Sequence, residues 1–274
     1  MAPRLIRKPP FSLLLWLCAI LLAGVVFAAP LRADEPAAPA APATQPAAVP
    51  KPGTQVAQNF QTKTGGYQYL FFLPQDYGTD PAKAWPLVLF LHGSGERGTN
   101  VEDVKKHGPP KIVEAGKQFT FILVSPQCPS EKHWDAATLE ALIEDVQARY
   151  HVDPDRIYVT GLSMGGYGTW DLVRHYPDRF AAIVPICGGG DPQSVKAFAH
   201  VPVWAFHGED DPTVPIKRSE EMVDALKAAG DPEVKFTRYP GVGHNSWVKA
   251  YQDPELYEWL LSHKRQPAPQ GDKK

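Results

Sequence analysis

Short runs of apolar residues recur along the chain and alternate with segments of helical periodicity. The apolar or aromatic runs lie at 67–73, 87–91, 121–124, 157–160, 181–186 and 201–206, and a further strand is predicted at 234–239. Strands that are apolar at every position are buried on both faces, as in a parallel sheet covered by helices. Apolar positions at helical spacing predict helices over 137–150, 216–229 and 251–261. This alternation predicts an α/β fold with a mainly parallel sheet flanked by helices.

The first 33 residues have the layout of an export signal. Arg4, Arg7 and Lys8 precede an uncharged run over 11–29, and small residues follow it. This order is typical of a cleavable secretory signal peptide, although a run of this length can also remain as a membrane anchor. In both cases the positive charges stay inside, so we expect the remainder to be exported, either to the periplasm or to the medium.

Two segments are unsuited to building a core. Residues 34–52 are mostly Ala and Pro and are predicted to form a disordered linker. The polar end, 264–274, is predicted to be a disordered tail. The folded domain is therefore assigned to 53–263, which is long enough for one core. The net charge of −2 excludes a strongly basic nucleic-acid surface, and we expect no stable membrane association after signal cleavage.

A candidate nucleophile follows the predicted strand 157–160. The sequence Gly161-Leu162-Ser163-Met164-Gly165 has the G-x-S-x-G pattern, with a strand before it and a helix after it. This is the required context of a nucleophile elbow, in which glycines allow a tight strand-to-helix turn that exposes the serine hydroxyl. Ser163 is therefore the predicted nucleophile.

Three carboxylates compete for the role of the orienting acid. Glu209, Asp210 and Asp211 lie in the loop at the carboxyl end of the predicted strand 201–206. In α/β architectures with this elbow the acid follows the serine and precedes the histidine. Asp211 is favoured because the proline after it restricts its backbone. Asp210 and Glu209 remain alternatives.

His244 is the candidate base. It lies in a glycine-rich loop after the predicted strand 234–239, downstream of the acidic loop. His92 and His207 each end a strand before a glycine, and we expect them to have structural hydrogen bonds instead. The other six histidines are predicted to be surface residues: His107, His133, His151, His175, His200 and His263.

A third glycine-containing segment, LHGSGERG at 91–98, follows a predicted central strand. An elbow serine needs two backbone N–H groups to stabilise the developing oxyanion. One is expected from the residue after the nucleophile, Met164. The other is expected from this loop, with Ser94 preferred and Gly95 as second choice.

The neighbouring residues have less specific expectations. Glu96 and Arg97 are predicted to form a structural ion pair that holds the loop. Trp134 and Trp247 are candidate walls of a substrate pocket, with packing at the loop bases as the alternative for both. Trp170 is predicted to be a core residue. No cluster has metal-ligand spacing and no G-x-G-x-x-G opens a helix, so neither a metal nor another cofactor is indicated.

Several motifs occur in a specific order: LHGSGERG, SPQCP, VDPDRIYVTGLSMGGYGTW, HGEDDPTVP and GHNSW. Over 67–261 they resemble secreted α/β-hydrolases of the phospholipase/carboxylesterase and dienelactone-hydrolase-like group, which includes feruloyl-esterase-like and polyhydroxybutyrate-depolymerase-like serine esterases. The resemblance implies an α/β-hydrolase fold in which Ser163, Asp211 and His244 form a catalytic triad. Dienelactone hydrolases proper use a cysteine nucleophile, and the serine here argues against their reaction.

The chain leaves little room for a cap domain. The gap where such caps often insert, 188–200, holds one short predicted helix at 194–199. The expected function is an exported carboxylic-ester hydrolase that acts on esters, including bulky or polymeric ones. A prolyl-oligopeptidase-like serine peptidase, an acyltransferase and a non-catalytic binding protein are the alternatives.

Cys128 and Cys187 follow two different predicted strands. An exported protein would by default pair them. The strand order implied by the resemblance separates these strands by two others, which puts the strand ends ~14 Å apart. A disulfide requires Cα atoms within ~7 Å, so we predict that both cysteines are unpaired.

Overall fold

The computed structural model describes residues 49–63, 65–231 and 233–265. Within them, one sheet contains eight strands. The strands are β1 Gln55–Gln61, β2 Gly66–Phe72, β3 Trp85–Leu91, β4 Ile122–Gln127, β5 Val152–Leu162, β6 Ala182–Ile186, β7 Val203–Gly208 and β8 Val234–Tyr239. The α-helices of the same residues are α1 Gly108–Glu114, α2 Ala136–Arg149, α3 Met164–His175, α4 Lys217–Ala229, α5 Trp247–Gln252 and α6 Pro254–Ser262.

The sheet confirms the predicted mainly parallel α/β architecture. Its strand order is β1-β2-β4-β3-β5-β6-β7-β8. All neighbours from β4 to β8 pair in parallel, whereas β1 and β2 form antiparallel pairs at one edge. The carboxyl ends of the parallel strands therefore meet at one edge of the sheet, where α/β proteins place their ligands.

Each face of the sheet buries its own core, which explains why the central strand β3 is apolar at every position. Leu87 and Leu89 of β3 pack with α2, α3 and α4 on one face. Val88 and Phe90 point the other way and pack with α1, α5 and α6. Because successive side chains of a strand alternate between faces, a strand with helices on both sides is expected to have a nearly continuous run of apolar residues.

Three elements differ from the sequence prediction. β1 was not predicted, because its residues are mostly half-buried or exposed, as expected for an edge strand. The short helix α1 was also missed. The predicted helix 251–261 is divided into α5 and α6 at Asp253, whose carboxylate accepts a hydrogen bond from Glu255 N–H at 3.0 Å and caps α6.

The segment between β6 and β7 confirms the absence of a large cap. Its residues 187–202 contain one 3₁₀ helix, Pro192–Ala197, where the sequence predicted a helix at 194–199. No large cap therefore covers the carboxyl edge of the sheet at this point.

Cys128 and Cys187 are free and buried, as predicted. Cys128 follows β4 and Cys187 follows β6. The strands β3 and β5 lie between them in the sheet, so the strand order behind that prediction is confirmed as well.

The predicted terminal segments lie largely outside the described residues. This holds for the signal or anchor at 1–33, for the linker except 49–52, and for the tail except 264 and 265. Across the part of the chain that is described, no helix has both the length and the apolar character needed to span a bilayer.

A buried carboxyl group after α4 makes stability depend on pH. Asp231 Oδ1 accepts a hydrogen bond from Glu233 N–H at 2.8 Å, but Oδ2 is buried without a hydrogen-bond partner. Burial raises the pKa of Asp231 to about 6. The folded protein thus keeps this proton up to about pH 6, whereas the unfolded chain releases it near its ordinary value of about 4. The free energy of unfolding should therefore fall as pH rises through this window.

Asp231→Asn is expected to abolish this contribution while keeping an oxygen for the Glu233 N–H group. Relative to wild type, the variant should gain on the order of 1–2 kcal/mol of unfolding free energy between pH 4 and pH 8, after discounting for solvent screening. Urea unfolding at the two pH values measures it, with Asp224→Asn at an exposed position of α4 as the charge control. An identical pH dependence in Asp231→Asn and wild type would contradict the expectation.

Candidate active site

Ser163 occupies a strained turn between β5 and α3. Its backbone has φ 52° and ψ −116°, a conformation that costs free energy in a residue with a side chain. The Ser163 N–H group donates to the carbonyl oxygen of Ile186 at 3.0 Å, which ties the turn to β6. The side chain is half-buried at the carboxyl edge of the sheet. This is the geometry that the G-x-S-x-G pattern predicts.

The two glycines of the pattern are needed because backbone atoms approach them closely. A Cβ atom on Gly165 would lie 1.9 Å from the carbonyl oxygen of Leu91 in β3. A Cβ atom on Gly161 would lie 2.3 Å from the carbonyl oxygen of Gly165. Both distances are far below van der Waals contact, so any side chain here would push the elbow away from the sheet.

Gly165→Ala is therefore expected to destabilise the fold by about 3 kcal/mol or more, because backbone cannot move aside as a flexible side chain can. Denaturant unfolding measures the effect. Gly95→Ala is the matched control, since a Cβ atom there meets nothing within 4 Å, and its effect should stay within about 0.5 kcal/mol. Equal stabilities of the two variants would be inconsistent with the close approach at the elbow.

The structure brings Ser163, His244 and Asp211 together in one hydrogen-bonded chain. His244 Nε2 lies 2.9 Å from Ser163 Oγ, and His244 Nδ1 lies 2.7 Å from Asp211 Oδ2. Nδ1 faces a carboxylate, so it carries the hydrogen atom and leaves Nε2 free to accept one from the serine hydroxyl. Asp210 and Glu209, the two alternatives for the acid, are exposed.

Asp211 is held as a carboxylate by its hydrogen bonds. Its Oδ1 accepts from the N–H groups of Thr213 and Val214, each at 2.9 Å. Burial alone would raise the pKa of Asp211, but the hydrogen bonds from His244 and from these two N–H groups outweigh burial and lower it. A negative charge is therefore kept beside His244 Nδ1.

The two predicted oxyanion donors both begin helices. Met164 is the first residue of α3, and Ser94 is the first residue of the 3₁₀ helix Ser94–Glu96. The N–H groups at the start of a helix have no partner within it and favour negative charge. In contrast, the Gly93 N–H group is occupied, because it donates to Glu96 Oε2 at 2.9 Å.

The predicted ion pair between Glu96 and Arg97 is wrong. Arg97 donates to the carbonyl oxygens of Ser94 and Lys132, each at 3.1 Å. Glu96 is buried, accepts from the Gly93 N–H group, and lies 3.7 Å from His107 Nε2. Both side chains hold the loop, but they do so through separate partners.

The two candidate wall residues occupy different environments. Trp134 is nearly buried in the core and donates its indole N–H to the carbonyl oxygen of His92 at 3.2 Å, which favours the packing alternative. Trp247 is half-buried, and its ring meets the ring of His244 edge to face at 5.2 Å between centroids. The Trp247 ring also meets the ring of His107, with 5.5 Å between centroids. Trp247 therefore remains the better candidate for contact with a substrate.

The structure adds neighbours that the sequence pattern did not place at the site. The buried His207 contacts Asp211 from β7, with 3.2 Å between Nε2 and Oδ2. Cys187, at the end of β6, has φ 41° and is fully buried. His107, predicted to be a surface residue, packs beside Trp247. Cys187 and His107 are far in sequence from Asp211 and Trp247, so no local motif could reveal their proximity. His207 lies only four residues before Asp211, but its position before a glycine indicated no more than a structural hydrogen bond.

Cys187, Asp211 and His244 also form a group of potential metal ligands. Their ligand atoms lie within 4.8 Å of one another, and in the described part of the chain this is the group of three that could hold an ion. Thiolate, carboxylate and imidazole are donor types that Zn²⁺ accepts. However, the Asp211 and His244 atoms are already bonded to each other, so a metal bound here would break the contact that orients His244.

Comparison with known proteins gives a consistent picture. The family model of the dienelactone hydrolase family matches residues 115–256, which is just over half of the chain. Poly(3-hydroxyalkanoate) depolymerase C of Paucimonas lemoignei is 32% identical over 153 residues, or 50% of this chain and 34% of that protein. The protein named probable feruloyl esterase C of Aspergillus niger is 24% identical over 189 residues, or 67% of this chain and 69% of that protein.

A solved structure of a thermostable esterase shares the fold. It superimposes with a TM-score of 0.67 and is 34% identical, covering 77% of this chain and 63% of that chain. The chain thus spans only about a third of the depolymerase and less than two thirds of this esterase.

Proposed function

The chain belongs to the dienelactone hydrolase family, and on this premise we propose that it is an exported serine hydrolase of carboxylic esters. The observation that carries the proposal is the hydrogen-bonded chain from Ser163 through His244 to the buried carboxylate of Asp211. A serine hydroxyl is a weak nucleophile, and it becomes effective when a positioned imidazole accepts its proton.

In the first half of the reaction, Ser163 Oγ attacks the ester carbonyl carbon while His244 Nε2 accepts the hydroxyl proton. The negative charge moves to the carbonyl oxygen, which the N–H groups of Met164 and Ser94 stabilise. Asp211 stabilises the imidazolium that forms on His244. The tetrahedral intermediate then collapses, the imidazolium donates its proton to the departing alkoxide, and an acyl-enzyme and a free alcohol result.

In the second half, water takes the place of the alcohol. His244 Nε2 accepts a proton from the water as its oxygen attacks the acyl carbon. The same two N–H groups stabilise the second oxyanion. Breaking the bond to Ser163 Oγ releases the carboxylic acid, and the serine recovers its proton from His244.

Bulky or polymeric esters are the proposed substrate class. One relative is named as a poly(3-hydroxyalkanoate) depolymerase, and another is named as a probable feruloyl esterase. The short segment 187–202 leaves the carboxyl edge of the sheet without a large cap, which allows a wide ester to approach Ser163. Export is part of the proposal because 1–33 has the charge and hydropathy order of a signal peptide or anchor.

The proposal is tested by the turnover of two classes of chromogenic substrate, esters and anilides, by the purified protein. We expect steady hydrolysis of p-nitrophenyl acetate and butyrate, and hydrolysis of peptide p-nitroanilides that is lower by orders of magnitude. When methanol is added, most of the acyl group should still be released as the free acid. An acyltransferase would instead transfer most of it to methanol and form the methyl ester. Preferred cleavage of the anilides, or no turnover of any ester, would contradict the proposal.

A further inference from the structure

A second buried imidazole contacts the same carboxylate oxygen as His244. His207, near the end of β7, has a fully buried side chain. Its Nε2 lies 3.2 Å from Asp211 Oδ2 and 2.9 Å from the carbonyl oxygen of Val214. Because His244 Nδ1 lies 2.7 Å from the same oxygen, Asp211 Oδ2 is placed between two imidazole rings.

The surroundings of His207 define which of its nitrogens carries a hydrogen atom. Both groups that face Nε2, the carboxylate of Asp211 and the carbonyl of Val214, are acceptors, so Nε2 must be a donor. On the other side of the ring, Nδ1 lies 2.7 Å from Ser219 Oγ. Ser219 Oγ in turn lies 2.8 Å from the carbonyl oxygen of Gly188. The ring is therefore anchored on both sides. Its Nε2–H group donates to the carbonyl oxygen of Val214, and Asp211 Oδ2 lies beside the same polar N–H group at 3.2 Å.

The two oxygens of Asp211 are held by different means. Oδ1 is held by the backbone N–H groups of Thr213 and Val214. A carboxylate that is fixed at one oxygen can still pivot and move its other oxygen. Oδ2 contacts His244 Nδ1 at 2.7 Å and His207 Nε2 at 3.2 Å. His244 must move its proton during the reaction, whereas the ring of His207 is anchored on both sides and stays in place beside Oδ2.

We propose that His207 is a positioning residue, which fixes Asp211 Oδ2 against His244 Nδ1 and shares the negative charge of that oxygen. This inference rests on the proposed function, because it requires that Ser163, His244 and Asp211 act together. His207 acts through Asp211 and not on the substrate.

Two further titratable groups interact electrostatically with Asp211, the thiol of Cys187 from the end of β6 and the phenol of Tyr167 from α3. Burial raises the pKa of Cys187 to about 12 and also raises the pKa of Tyr167. Both therefore stay neutral under assay conditions near neutral pH. The donors that set the effective charge of Asp211 are then His207, His244 and the backbone N–H groups.

Removal of the Nε2–H group should have two separate effects. Asp211 becomes less well fixed, so His244 is misaligned for proton transfer and kcat falls. At the same time the charge of Oδ2 is shared with one imidazole instead of two. This favours the protonated form of His244. The acid limb of the pH profile, which is the rise of kcat/KM with pH on its acidic side, therefore moves to higher pH. A residue that only supports the fold would produce the first effect without the second.

The test compares His207→Leu with His207→Gln on p-nitrophenyl acetate across pH. The leucine variant should lower kcat by about 10- to 100-fold with a KM changed by less than about threefold, and its acid limb should move to higher pH. Glutamine can present an N–H donor near the position of Nε2, so His207→Gln should recover most of the lost kcat and return the acid limb toward wild type.

Thr160→Val is the matched control. Thr160 is buried in β5, and its hydroxyl lies 2.7 Å from the carbonyl oxygen of Val184 and 3.0 Å from the hydroxyl of Tyr251. This variant loses buried hydrogen bonds of the same sheet without touching Asp211. It should therefore keep the wild-type kcat and pH profile, while its loss of unfolding free energy provides the scale for a purely structural change.

The outcomes separate this inference from the proposed function. The inference would be overturned if His207→Leu kept the wild-type kcat and pH profile. It would also be overturned if His207→Leu lost kcat with no shift in its pH profile and His207→Gln did not recover that loss. In both cases an inactive Ser163→Ala leaves the proposed function standing, whereas an active Ser163→Ala would overturn that function. If His207→Leu does not fold, Ser219→Ala removes the anchor of Nδ1; a smaller loss of kcat with the same pH shift supports the inference, and unchanged values contradict it.

Discussion

Ser163→Ala is expected to lower kcat for p-nitrophenyl acetate by roughly 10⁴- to 10⁶-fold. Alanine removes the atom that forms the acyl-enzyme, and His244 then has no hydroxyl to activate. The N–H groups of Met164 and Ser94 remain, so a residual rate above that of water is expected from oxyanion stabilisation alone. Alanine has the same backbone strain as serine at φ 52°, and the free energy of unfolding should therefore change by less than about 1.5 kcal/mol.

Ser125→Ala is the control for this substitution. Ser125 is buried in β4 and its hydroxyl has no hydrogen-bond partner, so the same chemical change occurs away from the elbow. This variant should keep wild-type turnover. If Ser163→Ala keeps a kcat within about tenfold of wild type, the loss is far smaller than removal of the nucleophile should cause. Another group would then have to be the nucleophile.

Asp211→Asn is expected to lower kcat by about 10⁴-fold, because an amide cannot stabilise the imidazolium and its N–H₂ group favours the wrong tautomer of His244. Asp210→Asn should change kcat by less than about threefold, within the small effects typical of exposed positions. Asp210 is exposed, and the hydrogen bond from its backbone N–H group to the carbonyl oxygen of Val242 does not use the side chain.

The comparison of these adjacent positions is informative because it keeps the loss of one negative charge constant. Steady-state kinetics of both variants, with circular dichroism to establish folding, measures the difference. The reverse ranking would move the acid assignment to Asp210 and would be incompatible with the 2.7 Å contact between His244 and Asp211.

The parts of the fold that follow from local pattern could be predicted from sequence. β3, β4, β6 and β7 are buried at every position, and each contains a run of apolar residues that makes it recognisable in the sequence. β1 lies at the sheet edge and alternates only weakly, so its sequence resembles a loop. The division between α5 and α6 depends on the cap at Asp253, which a periodicity argument over 251–261 does not resolve.

The same distinction applies to the site. Ser163, Asp211 and His244 were predicted because each lies at the end of a strand in a required order, and the sheet brings strand ends together. The contact of His207 with Asp211 was not predicted, since a histidine before a glycine indicates only a structural hydrogen bond. The separate partners of Glu96 and Arg97 depend on side-chain directions within one tight loop, which residue types alone do not determine.

The central claim is that Ser163 is the nucleophile of an acyl-enzyme mechanism. Diisopropyl fluorophosphate reacts with serines that a neighbouring imidazole activates, and it leaves a stable phosphoryl group on the oxygen. After complete inactivation, peptide mapping by mass spectrometry should find one diisopropylphosphoryl group per chain, on Ser163, and its appearance should parallel the loss of esterase activity. Full activity after treatment, or a label on a different residue in the inactivated protein, would contradict the account.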